Sequence, residues 1–210
     1  MKIKQVLLVL VLILAGVSVF GQVKPDALVL YNNGQYNKAI KVCRGELASM
    51  PKNMDSYSVL TWSLLKLGKY TEALDEAEKA LKISRYDARL VEVMGEASYH
   101  LGKNSDALKW FQEYVVLAPA GTRIDVVYYY MGEIFIRLGE YNHADISFTT
   151  AVHYSPHIAR WWSRLGYARE MAKDYTYAIV AYKKALSLNP ALSDAKRGKD
   201  RCEKLLRTNG

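Results

Sequence analysis

Residues 57–81 read YSVLTWSLLKLGKYTEALDEAEKAL, and the fold turns on this stretch. Tyr57, Leu60, Thr61 and Leu64 recur at i, i+3, i+4 and i+7, the spacing of one helix face. Gly68 then offers a left-handed C-cap that carries no Cβ penalty. A second stripe follows at Ala73, Ala77, Ala80 and Leu81. Ala73 and Ala80 are small enough for two helices to approach closely, while Tyr70 wedges the turn. The stretch predicts a helix, a tight turn and an antiparallel helix.

Outward from it, the same unit recurs. Gly34, Gly68, Gly102 and Gly139 are spaced by 34, 34 and 37 residues, and Lys173 continues the column. Five residues after each of these comes an alanine: Ala39, Ala73, Ala107, Ala144 and Ala178. Tyr36, Tyr70, Tyr141 and Tyr175 stand two residues past the glycine slot, with Asn104 as the exception. Pro51, Pro119, Pro156 and Pro190 stand seventeen past it, with Arg85 departing. A proline lacks the N–H that would continue a helix and clashes with the preceding turn. Four columns in register make an internal repeat.

This pattern resembles the tetratricopeptide repeat (TPR), whose signature runs Trp-x2-Leu-Gly-x2-Tyr, then Ala-x3-Phe, then Pro. Trp162, Leu165, Gly166, Ala178, Tyr182, Ala185 and Pro190 carry it best. Tyr128, Met131, Gly132, Phe135, Ala144, Phe148, Ala151 and Pro156 form another copy, and Met94, Gly95, Ala107, Phe111 and Pro119 a third. The expected fold is all-α, a right-handed α-solenoid of antiparallel helix hairpins with a C-terminal capping helix. The expected divisions are five TPR-like repeats within 22–192 (22–53, 54–87, 88–121, 125–158 and 159–192) and a cap at 193–210. Asp26 and Glu46 depart from the repeat's small or apolar positions, and Thr122 to Ile124 are a three-residue insertion. On the cap, Ala195, Leu205 and Leu206 are the expected packing residues.

Composition agrees with a folded chain. Of 210 residues, half are hydrophobic and 24% charged, which excludes a disordered tail. The first 21 residues, MKIKQVLLVLVLILAGVSVFG, have the form of an export signal. Lys2 and Lys4 precede an apolar run from Val6 to Phe20, and Val19 and Gly21 are small enough for cleavage before Gln22. As a helix the run spans about 22 Å, short of the ~30 Å hydrocarbon core, so export is expected over an uncleaved anchor. Without the leader the formal charge of +8 becomes +6.

Chemistry-bearing motifs are sparse. Cys43 and Cys202 are expected about eight helix layers of ~9 Å apart, far beyond the ~7 Å of a disulfide. Cys43 is read as a core residue, and Cys202 as a partly exposed thiol able to pair between molecules. His153 and His157 have the spacing of a zinc pair, but Pro156 breaks the helix between them. There is no HExxH, CxxC, GxSxG elbow or phosphate-binding glycine loop. No metal, no cofactor, no catalytic residue and no small-molecule substrate is expected. The aromatics fall mostly in repeat columns, so nucleic acid is not an expected partner either.

Function is then sought on the concave face that the resemblance implies, lined by the first helix of each hairpin. Positions opposite the core stripe give Asp55, Ser58, Trp62 and Leu65 in the second unit, and Arg89, Glu92, Glu96 and Tyr99 in the third. The fourth gives Val126, Tyr129, Glu133 and Ile136, and the fifth Arg160, Ser163, Tyr167 and Glu170. Trp62, Tyr99, Tyr129 and Tyr167 thus form an aromatic ladder, a composition common at binding hot spots. Glu92, Glu96 and Glu133 lie mid-groove, while Arg160, Arg164, Arg197 and Arg201 lie toward the C-terminus. The expected partner-binding set is Trp62, Glu92, Glu96, Tyr99, Tyr129, Glu133, Arg160, Arg164 and Tyr167. Arg160 and Arg164 are similar to one basic pair of TPR domains that grip C-terminal carboxylates. Glu92, Glu96 and Tyr130 stand where such a clamp needs basic or amide groups, so that activity does not carry over. The expected function is a non-catalytic scaffold holding a protein or peptide partner, with a self-associating structural component of an envelope complex as the alternative.

Overall fold

The computed structural model describes residues 26–209, and the export-signal reading of residues 1–21 lies outside them. Among the described residues there are helices and no strands. In chain order they are α1 (Ala27–Asn32), α2 (Tyr36–Ser49), α3 (Met54–Lys66), α4 (Tyr70–Leu81), α5 (Ala88–His100) and α6 (Asn104–Leu117). Then follow α7 (Ile124–Leu138), α8 (Tyr141–Tyr154), α9 (Ala159–Met171), α10 (Tyr175–Leu188) and α11 (Ser193–Asn209). Each odd-numbered helix from α1 to α9 forms a hairpin with the helix after it, and the hairpins stack as a right-handed α-solenoid ending in α11.

Local chemistry sets the boundaries. Asp26, Asn53 and Asp87 accept hydrogen bonds from the free N–H groups at the starts of α1, α3 and α5. Asp26 therefore departs from the repeat pattern in order to cap a helix. Glu46 departs too, and its Oε2 accepts from the Ser56 hydroxyl at 2.7 Å, tying α2 to α3. Gly68 turns the chain at φ +71°, and Lys173 takes the same left-handed conformation at φ +66°. The helices that precede Pro51, Pro119, Pro156 and Pro190 each stop two residues short of the proline.

The predicted stripe of α3 and α4 is the core: Leu60, Leu64, Ala73, Ala77 and Ala80 are buried. In each of the last three hairpins one large ring, Phe111, Phe148 or Tyr182, lies against a helical glycine of the facing helix. A Cβ on Gly132 would stand 2.7 Å from the Phe148 ring.

The capping helix corrects two expectations. Leu205 and Leu206 are exposed, and the buried face is Ala195, Gly198 and Cys202. The reason is Tyr182, whose ring would meet a Cβ on Gly198 at 2.2 Å. Cys202 is accordingly buried and free, and burial pushes its thiol up to about 11. It is not the partly exposed thiol read from the sequence. Cys43 is a buried core residue, pushed up to about 12 by the same cause.

Candidate binding groove

First helices of successive hairpins lie side by side, α1 on α3, α3 on α5 and α5 on α7, and their free faces line the groove. This close packing covers part of the predicted line. Ser58, Leu65, Glu92 and Ser163 are buried, whereas Trp62, Tyr99, Tyr129 and Tyr167 are half-buried and Arg160 is exposed. The expected ladder is not one continuous surface. Trp62, Glu92 and Glu96 line one recess, and Tyr129, Glu133, Arg160, Arg164 and Tyr167 line a second. Tyr99 lines neither. It sits under the Arg137 guanidinium, 4.0 Å from the ring centroid, and beside Tyr130.

The first recess has a volume of about 440 Å³. Tyr31, Trp62 and Leu65 form one wall, and residues 118–123 close the other. Gly121 lets that segment pass, since a Cβ there would stand 2.4 Å from the Tyr114 hydroxyl. The segment delivers Arg123, which the sequence reading placed only within an insertion. Its Nη2 lies 2.9 Å from Glu92 Oε1 and 2.7 Å from Glu96 Oε2. Glu92 is 3% exposed, and burial pushes its carboxyl up to about 7; Arg123 opposes this and the Glu96 charge adds to it. Tyr130 faces Glu96 and is also raised, chiefly by burial. Nothing but the odd length of this connection could have pointed to Arg123.

The second recess is larger, about 830 Å³, and more polar. Tyr129 stacks on Trp161 at 5.0 Å and an interplanar angle of 15°, so this ring supports the fold as well as facing the groove. Arg164 makes two hydrogen bonds to Glu133, at 2.5 and 2.9 Å, and its guanidinium lies over Tyr167. Arg201 makes two to Glu170, and Arg197 pairs with Asp194. Of the four arginines that the sequence places toward the C-terminus, three thus already hold carboxylates. Arg160 has no ion-pair partner among the described residues.

Among the described residues, no three His, Cys, Asp or Glu side chains come together as metal ligands. Nor is any described helix long and apolar enough to cross a membrane.

Residues 26–129 and residues 159–192 each match a family model of the tetratricopeptide repeat, together more than half of the chain. Solved structures with the same arrangement include the C-terminal part of a TPR repeat-containing protein from Cytophaga hutchinsonii. That part is 22% identical, over 87% of this chain and 71% of that one, with a TM-score of 0.72. MamA is 20% identical over 79% and 95%, with a TM-score of 0.69. YrrB, described as a TPR protein with an unusual peptide-binding site, is 20% identical over 83% and 88%, at 0.67. At such identities the likeness is one of fold.

Proposed function

The chain belongs to the tetratricopeptide-repeat family, and from that premise we propose that it is an exported, non-catalytic scaffold. It holds an extended segment or a helix of another protein along its concave face, in the assembly of an envelope or secretion complex. The observation that supports this reading is a groove with two recesses on one face, walled by aromatic rings whose arginine neighbours are fixed by ion pairs. Fixed side chains lose little rotamer freedom on association, which lowers the cost of binding. Arg160, exposed and unpaired, would take an acidic residue of the partner. Export is read from the pattern of residues 1–21. YrrB is described as having a peptide-binding site, which agrees with a polypeptide ligand here.

Site-specific photocrosslinking in the native host tests this. p-Benzoylphenylalanine replaces Arg160 in the groove or, as a control, Val116, which is 79% exposed on α6 and lines neither recess. A different protein crosslinked from position 160 and not from 116 is the expected result. Equal products from both positions, or none from position 160, would overturn the proposal.

One observation favours self-association as a second reading. Leu188, Leu205 and Leu206 are exposed near the C-terminal end of the solenoid, where a second copy could cover them. Under that reading the purified chain is a dimer or larger by light scattering at micromolar concentration, and the crosslinked product is the chain itself.

A further inference from the structure

The second recess carries an excess of positive charge. Arg160, Arg164, Arg197 and Arg201 line it together with Glu133 and Asp194, and Glu170, outside the lining, holds Arg201. Against all three carboxylates, the four guanidiniums leave one charge unmatched among the described residues. The three pairs are unequal. Glu133 and Glu170 are half-buried, and each takes two hydrogen bonds from its arginine. Glu170 also accepts from the Tyr182 hydroxyl at 2.6 Å. Asp194 and Arg197 lie three residues apart on α11, with side chains 78% and 65% exposed. Exposed pairs of this kind contribute little, so Arg197 is the paired arginine most readily given up to another anion. Asp194 stands in the first turn of α11, where the helix N-terminus favours its charge even without Arg197.

We propose that this recess takes a carboxylate side chain of the partner segment between Arg160 of α9 and Arg197 of α11, and that Asp194 occupies Arg197 until the partner displaces it. The proposal rests on the groove reading above, and adds to it a second cation and a built-in competitor. The two guanidiniums belong to different helices that line one recess, and a carboxylate has an oxygen for each. The unmatched charge is a single one, which a carboxylate neutralises. A phosphoryl group, with about −1.5 to −2, would overshoot it. A chain end carries the same group but is gripped by its main-chain N–H as well. Asn189 is the one amide side chain in the lining, and its Oδ1 already accepts from the Ala191 N–H at 3.0 Å. The occupant is therefore an aspartate or glutamate within the segment.

Displacement gives the site a signature that net charge alone would not. Arg160 has no carboxylate to release, so removing it takes away a contact that is ready before the partner arrives. Asp194→Asn frees Arg197 in advance and should tighten binding, but only while Arg197 is present. A general effect of removing one negative charge would persist without Arg197. Arg160 and Arg197 are exposed, so substituting either leaves the core intact.

The test is fluorescence anisotropy of the purified chain with fluorescein-labelled, C-terminally amidated hexaglutamate. Labelled hexaglutamine, either amidated or with a free C-terminus, is the comparison. Hexaglutamate should bind about tenfold more tightly than either form of hexaglutamine. Arg160→Gln should weaken it about tenfold and Arg197→Gln about threefold, while Asp194→Asn should tighten it about threefold. That gain should vanish when Asp194→Asn is combined with Arg197→Gln, since the two residues act through one contact. Lys52→Gln, on an exposed turn that lines neither recess, should leave the affinity as it is. Equal losses at Lys52 and Arg160, a gain from Asp194→Asn that survives without Arg197, or free-ended hexaglutamine binding as well as hexaglutamate would overturn the proposal. Photocrosslinking reads the groove independently. A partner captured there while hexaglutamate ignores these substitutions refutes this inference alone.

Discussion

The two recesses of the groove are built alike and end up different in size and polarity. Each takes aromatic rings from first helices and sets a glutamate of one layer against an arginine of the next. In the first, residues 118–123 add a wall and bring Arg123 onto the buried Glu92 and its neighbour Glu96. In the second, Asn189 and Leu192 before α11 and the first turns of α11 line the far side, the volume nearly doubles, and Arg160 is left over. The repeat decides where side chains stand, and one irregular connection decides what the groove presents.

The largest effect that separates the two recesses comes from removing their bridging arginines. Arg123→Ala leaves Glu92 and Glu96 facing each other with the first 3% exposed, and should cost about 3 kcal/mol. Arg164→Ala strands only Glu133, in a wetter site, and should cost about 1 kcal/mol. Urea unfolding of both variants at pH 7 measures this, and equal losses would break the comparison.

A smaller effect follows the pH. The folded state holds the Glu92 proton up to about 7, whereas an unfolded glutamate releases it near 4.3. Stability from this group is full below the unfolded value and is lost as pH rises through 7. The loss is on the order of 2 kcal/mol between pH 5 and 8. Glu92→Gln carries no such proton. Its melting temperature should therefore gain on the wild type by several degrees from pH 5 to pH 8. A difference that stays constant with pH would show that Glu92 is not held protonated.

Most of the fold was legible because it is written several times over. The glycine, alanine, tyrosine and proline columns each recur, and the stripe from Tyr57 to Leu81 lies where helical periodicity puts it. The groove was less legible, since a helical wheel assigns a residue to a face but not the neighbour that covers it. Glu92 lies on the predicted line and Arg164 in the predicted partner-binding set, yet ion pairing across layers takes up much of their charge. Arg123 belongs to no column, and its role arises from the path of a single loop. Cys202 and Gly198 were missed because the second helix that would complete the repeat signature is lacking among the described residues, and Tyr182 selects small residues there.

The smallest effect lies in how each region closes its hairpins. Beside the first recess, α3 and α4 are joined through Gly68 at φ +71°, a conformation that glycine adopts freely. Beside the second, α9 and α10 turn through Lys173 at φ +66°, where a side chain strains the backbone. Lys173→Gly relieves that strain but widens the unfolded ensemble, so the net gain should be about 0.5–1 kcal/mol. The same residue change cannot be made at Gly68, where Gly68→Lys should cost a similar amount. Thermal unfolding of the two reciprocal variants checks this, and shifts of opposite sign are expected. If both substitutions destabilise, the Lys173 side chain contributes contacts that outweigh its turn, and the two hairpin closures are not equivalent.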